Sequence, residues 1–303
     1  MVRPFLAYAS LLLILGTGQS AAARGLEIAI TVDDLPVHGP LPPGETRLQA
    51  AQQMISALRA AKVPSVYGFA NGTHLDADPQ AESVLTAWRT AGYPLANHSF
   101  SHLNLNHVSS AEYLEDIVRN EPLLRRLSRG SDWRWFRYPF LAEGDDPAKR
   151  LEVRQFLGAR GYRIAGVTMS YWDYEWNDAY ARCRAAGDAA SLDRLEHAYL
   201  AAVKDGIDHW RRLAWSVYGR DIPYILLTHI SPFNARMFPR ILALYKQQGF
   251  RFVTLQRATR HPAYRGDLEP SLPPLPSLER RASERGQPLH RQNPAAMLAG
   301  ICR

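Results

Sequence analysis

The sequence predicts an α/β fold in which a parallel sheet closes into a seven-stranded (β/α) barrel. Three observations lead there. Seven short apolar runs alternate with longer stretches of helical periodicity between residues 26 and 255. Gly92, Gly161 and Gly249 each follow one of those helical stretches, as C-terminal stops do. Polar clusters stand immediately after five of the seven apolar runs, and a parallel fold gathers its strand ends at one mouth. Such alternation calls for crossover helices, and seven repeats suit a barrel better than an open sheet.

In order along the chain, the strands are read at Leu26–Val32, Ser65–Ala70, Pro94–Asn97, Arg134–Tyr138, Arg163–Met169, Tyr224–Thr228 and Phe250–Leu255. Helices are read near 46–61, 78–91, 109–128, 147–160, 190–217 and 236–248. The third begins Ser109-Ser110-x-Glu112 and spaces Leu114, Ile117, Val118 and Leu124 along one face. Residues 170–222 are long for one connection and imply an insertion with its own helix.

The chain has 303 residues, 46% hydrophobic and 21% charged, which is ordinary globular usage. Residues 1–23 read as a secretory signal peptide: Met1-Val2-Arg3, then an apolar run from Phe5 to Leu15, then small residues ending Ala21-Ala22-Ala23. The apolar run is shorter than the roughly 20 residues of a spanning helix, so cleavage and export are expected, to the periplasm or outside the cell. Residues 24–260 form the barrel domain, and 261–303 a Pro/Arg-rich irregular tail containing Leu272-Pro273-Pro274-Leu275-Pro276.

Formal net charge is +7, one less once Arg3 leaves, and arginine carries it, since the lysines are only Lys62, Lys149, Lys204 and Lys246. Either attraction to anionic envelope polymers or an ordinary solvated surface accounts for this. No nucleic-acid motif appears, and no later segment is apolar enough to span a bilayer. Cys183 and Cys302 lack metal-ligand spacing; in an oxidising compartment they either pair or remain two thiols.

The chemistry is expected at the strand ends. After the first strand comes Thr31-Val32-Asp33-Asp34. Adjacent carboxylates repel unless a cation offsets them, and neighbouring strand side chains point oppositely, so the two aspartates have different jobs. After the third strand come His98 and His102. At i, i+4 they fall on one face of a helical turn and can share an ion. With a carboxylate from the same mouth they make a triad with positions open to water, the pattern of catalytic zinc. Arg137-Tyr138-Pro139-Phe140 follows the fourth strand, its arginine able to clamp a carboxylate. His229 follows the sixth, either a satisfied core histidine or, beside a metal, a proton donor.

In this order the motifs resemble those of the polysaccharide deacetylases of carbohydrate esterase family 4. Thr31-Val32-Asp33-Asp34 is similar to that family's T-F-D-D, His98-Ser99-Phe100-Ser101-His102 to H-[ST]-x-x-H, Arg137-Tyr138-Pro139-Phe140 to R-x-P-[YF], and Leu227-Thr228-His229 to L-x-H. Tyr67 to Gly72 resembles the family's second strand, and the likeness covers Leu26 to Leu255. The resemblance implies an incomplete, distorted seven-stranded barrel and removal of acetyl groups, N-acetyl above all, from a carbohydrate.

It further implies that Asp34, His98 and His102 hold one divalent ion, expected to be zinc. Asp33 is then the general base, oriented and kept ionised by Arg137, and His229 the general acid. The Phe140 N–H receives the oxyanion, and Leu227 with Trp176 lines the acetyl-methyl pocket. Tyr138, Tyr171 and Trp172 are expected as sugar-stacking aromatics or as core.

Two departures stand out. Leu35 occupies the family's usual glycine position and is expected to reshape the cleft floor. Asp173-Tyr174-Glu175-Trp176 is one residue short of D-x-x-D-W, leaving Asp173 or Glu175 as partner of His229, with Asp173 preferred. The rival readings are deformylation or deacylation of another amide-bearing sugar, and a catalytically silent glycan-binding barrel. A metallophosphatase is disfavoured, because such sites commonly hold two metals and more ligands than this sequence offers.

Overall fold

The computed structural model describes residues 25–289 and 293–302, so the signal-peptide reading of 1–23 lies outside the described residues. One sheet of seven parallel strands is formed by β1 (Leu26–Leu35), β2 (Tyr67–Ala70), β3 (Leu95–Asn97), β4 (Trp135–Phe136), β5 (Arg163–Ile164), β6 (Tyr224–His229) and β7 (Phe250–Val253). Its order is β5-β4-β3-β2-β1-β6, and β7 pairs with the first residues of β1, Leu26 facing Phe250. The sheet curls, and among the described residues its two edges meet at a bridge between Met169 and Leu226. The architecture is therefore an incomplete, distorted (β/α) barrel.

Helices α1 (Arg47–Ala60), α2 (Thr73–Ala77), α3 (Glu82–Thr90), α4 (Ser110–Ser128), α5 (Pro147–Ala159), α6 (Asn177–Ala186), α7 (Ala189–Tyr218) and α8 (Pro232–Gln247) flank it. Their starts follow from capping chemistry. Thr46 and Gln49 close a capping box on α1, Ser109 accepts from the Glu112 N–H at α4, and Asp146 precedes Pro147 at α5. Ser231 caps α8 with Pro232 at its first position, so that helix begins a turn before the periodicity at 236 suggested. The insertion within 170–222 supplies two helices, α6 and α7. Among the described residues no helix is long and apolar enough to cross a membrane.

Strand alternation sorts β1 into two faces. Ile28, Ile30 and Val32 join the large core between sheet and helices, while Ala29 joins a smaller cluster with Phe69, Ala96, Trp135 and Ile225 inside the barrel. Thr31 and Asp33 continue the inner row, and Asp33 is the register partner of His229 across β1 and β6.

β4 and β5 are two-residue ladders, shorter than expected. Just past β5, Gly166 lies so close to the seam that a Cβ there would stand 2.4 Å from the Asp267 carboxylate. There the chain leaves β4, rejoining β6 through Thr168 and Met169. The segment beyond 260 carries short helices rather than irregular chain alone, and Tyr264 bonds Thr168 and the Pro223 carbonyl at this seam. A Cys183–Cys302 disulfide ties its end to α6.

Candidate active site

The ends of β1, β3, β4 and β6 bring Asp33, Asp34, His98, His102, Arg137 and His229 to the mouth, and the local sequence explains how. Strict alternation would turn Asp34 outward. Instead the register of β1 slips after Val32 and Asp34 adopts φ 55°, so both aspartates face the mouth while Leu35 points out. Leu35 is fully buried against Gly68. It therefore does not shape the cleft floor, which corrects the expectation for that departure: the slip sends it to the helix side.

His98 and His102 do not share a helical turn, which is a second correction. They lie on a loop after β3 in which Ser99 (φ 60°) and His102 (φ 56°) are left-handed. Such conformations cost of order 1–3 kcal/mol each unless the surroundings fix them. Here they are fixed: the Asp116 carboxylate on α4 accepts from the Phe100 and Ser101 N–H groups. Asn97 accepts from the Ser99 N–H, and the Asn71 amide donates to the His98 and Ser99 carbonyls.

The outcome is one cluster. Asp34 Oδ1 lies 3.3 Å from His98 Nε2 and 3.2 Å from His102 Nε2. Among the described residues these three are the set whose ligand atoms could share an ion. Oδ1 is buried and has no hydrogen-bond partner. His98 donates its Nδ1–H to the Arg137 carbonyl at 2.8 Å, which leaves the Nε2 lone pair facing Oδ1. An orphaned carboxylate oxygen between two imidazole nitrogens fits a divalent cation of the zinc type. Burial pushes the Asp34 carboxyl up, but the imidazoles of His102, His38 and His98 outweigh it and hold the group well below the usual carboxylate range.

Asp33 has different surroundings. Both its oxygens accept from Arg137 Nη1 at 3.0 Å, and Oδ2 is 3.9 Å from His98 Nε2. Arg137 is 1% exposed and fully employed: Nη2 donates to Thr31 Oγ1, Nε to the Ala165 carbonyl, and the guanidinium lies over Phe69.

On the opposite side, Asp173 and not Glu175 meets His229. Asp173 Oδ1 is 3.0 Å from His229 Nδ1, and Oδ2 accepts from the His229 N–H and from Thr228 Oγ1. Glu175 is half-exposed, its partner being Asn293. Burial lowers the His229 pKa, but Asp173, then Asp34 and Asp33, raise it to about 9. The ring is thus charged at neutral pH, with Nε2 3.8 Å from Asp34 Oδ2.

The aromatic residues are partly misassigned from sequence. Tyr138 is 2% exposed, stacked on Tyr113 and edge-on to Phe136, and offers a sugar no face. Tyr171 is buried against Tyr199. Trp176 lies in the sheet–helix core on Tyr199. Trp172 is half-buried. Leu227 lies on the inner row of β6 with Ile225 and His229. The accessible rings are Phe140, 64% exposed and 4.5 Å from the His102 ring, and Tyr174, 38% exposed and edge-on to His229 at 5.6 Å.

Sequence reasoning missed Tyr174, His38 and Asn234. Asn234 donates to Asp173, Thr228 and the His229 carbonyl, and nothing in its sequence context marks it. His38, four residues after Asp34, was detectable as another imidazole just past the same strand end; its Nδ1 is 3.1 Å from Asp34 Oδ2.

Residues 21–161 match the family model described as polysaccharide deacetylase. No curated protein matches the chain in sequence. Solved structures do match. A mutant CE4 family pseudoenzyme with restored enzymatic activity gives a TM-score of 0.54 at 14% identity, over 78% of this chain and 68% of its own. The wild-type pseudoenzyme from Bacillus anthracis gives 0.54 at 13% identity, over 78% and 66%. A family 4 carbohydrate esterase from Streptomyces lividans, in complex with acetate, gives 0.48 at 21% identity, over 78% and 97%. At these identities the likeness is one of fold.

Proposed function

The chain belongs to the polysaccharide deacetylase family through residues 21–161, and from that premise we propose that it is an exported, metal-dependent hydrolase that removes acetyl groups, N-acetyl foremost, from a carbohydrate. The observation that carries this reading is the unpartnered Asp34 Oδ1 between the Nε2 atoms of His98 and His102. These three residues would hold one divalent cation, zinc being the simplest choice, which supplies Lewis acidity toward the acyl carbonyl and lowers the pKa of water.

The chain's own groups do the rest. Asp33, pinned by Arg137, takes the proton of the attacking water as general base. His229, held charged by Asp173, delivers a proton to the departing sugar nitrogen. The Phe140 N–H, on a left-handed residue at the rim, serves the developing oxyanion, and Leu227 borders the acetyl methyl. Phe140 and Tyr174 are the rings placed to meet a sugar. Two groups of opposite proton-transfer role across one register pair favour catalysis over mere glycan binding.

The test is acetate release from chitin oligomers and peptidoglycan by the zinc-loaded chain, with formate measured alongside. Acetate release that a chelator abolishes supports the proposal. Glycan binding without any release overturns it in favour of a silent barrel.

A further inference from the structure

The Asp34 carboxylate has two oxygens, and the mouth presents three competing claims on them. Oδ1 faces His98 and His102, whereas Oδ2 is 3.1 Å from His38 Nδ1 and 3.8 Å from His229 Nε2. Rotation about the Cβ–Cγ bond exchanges the oxygens, since that torsion is broad and roughly two-fold. A carboxylate at this site therefore needs something to hold it with one oxygen toward the imidazole pair and the other away from the proton of His229.

We propose that His38 is that positioning residue: its Nδ1–H holds Asp34 Oδ2, presenting Oδ1 as the single ligand oxygen and keeping the carboxylate off the proton-donating nitrogen of His229. The proposal rests on the metal reading above and assigns a role to a residue outside the matched motifs. A carboxylate oxygen only accepts, so Nδ1 is the donor whichever state the ring is in. The main chain supports the geometry, because the His38 N–H is bonded to the Ile230 carbonyl at 2.7 Å, just beyond β6. The ring is also sandwiched, tilted 5.1 Å from the His229 ring and edge-on to Tyr174 at 6.0 Å. His38 does not belong to the ion-sharing set itself. Outer-shell hydrogen bonds of this kind orient metal ligands, and their loss costs affinity.

The side chain is about a third exposed, so removing it leaves the core intact. The experiment is titration of the metal-free chain with Zn2+ alone, and with Co2+ read by its visible absorption, in wild type, His38→Ala, His38→Asn and Asp34→Ala. Asparagine is the informative variant because its amide nitrogen occupies the place of Nδ1. His38→Ala is expected to weaken Zn2+ binding roughly 10–100-fold and to alter the Co2+ spectrum; His38→Asn restores most of both. Equal binding by His38→Ala and wild type, or equal weakness in Ala and Asn, overturns the positioning role. If Asp34→Ala binds Zn2+ as tightly as wild type, the metal reading itself is what has failed.

Discussion

Replacing Asp173 by asparagine removes the main support of the His229 charge while keeping a side chain of the same shape. His229 stands at about 9 in the folded chain, against about 6.5 for an unperturbed imidazole. That gap is worth roughly 3 kcal/mol at most. Because the folded value is raised, the associated stability is fully present below about pH 6.5 and is lost as pH rises through about 9. Asp173 is the largest of the carboxylate contributions to that rise, ahead of Asp34 and Asp33.

Without Asp173 the burial that lowers the ring is no longer outweighed, so the Asp173→Asn ring titrates at or below the unperturbed value of about 6.5. At pH 8 the charged fraction then falls from about 90% to about 3% or below, a proportionally larger fall than at pH 6. The assay is kcat/KM against pH, whose alkaline limb reports the acid in the free enzyme. That limb is expected to move down to neutrality or below, with a loss of at least about 30-fold at pH 8 and a smaller loss at pH 6. An unchanged limb, or the same loss at both pH values, refutes the assignment of His229 as the acid supported by Asp173.

Three other outcomes follow from the geometry. Asp33→Asn is expected to keep its metal and lose about 10²–10⁴-fold in turnover, measured as acetate release alongside metal content. Arg137→Met leaves the Asp33 carboxylate buried without its cation, and denaturant unfolding is expected to show a loss of about 3–5 kcal/mol, part of it recovered in the double variant with Asp33→Asn. Cys302→Ser opens a loop of 119 residues, and a chain-entropy estimate puts the cost at up to roughly 5 kcal/mol; a melting temperature unchanged from wild type sinks that expectation.

The barrel and most of its mouth were legible because they rest on local signals. Strand runs, helix caps such as Ser109, and polar residues just past the strands are all written within a few neighbours. Rotational detail was not. The slip in β1 that brings Asp33 and Asp34 to one side and turns Leu35 outward depends on register with β2. The His98–His102 pairing comes from a left-handed loop held by Asp116, fifteen and more residues away, rather than from a helical turn. Tyr138, Tyr171 and Trp176 are adjacent to motif residues in sequence but on the core side in space. Asn234 and His38 act through a third dimension that spacing does not encode, although His38 carries the weak signal of following the first strand end.

The central claim is that Asp34, His98 and His102 share one cation. Anomalous scattering from zinc-loaded crystals tests it most directly. One strong peak is expected at about 2.0–2.2 Å from Asp34 Oδ1, His98 Nε2 and His102 Nε2 together. A peak elsewhere, or fully loaded crystals with none at these three atoms, contradicts it.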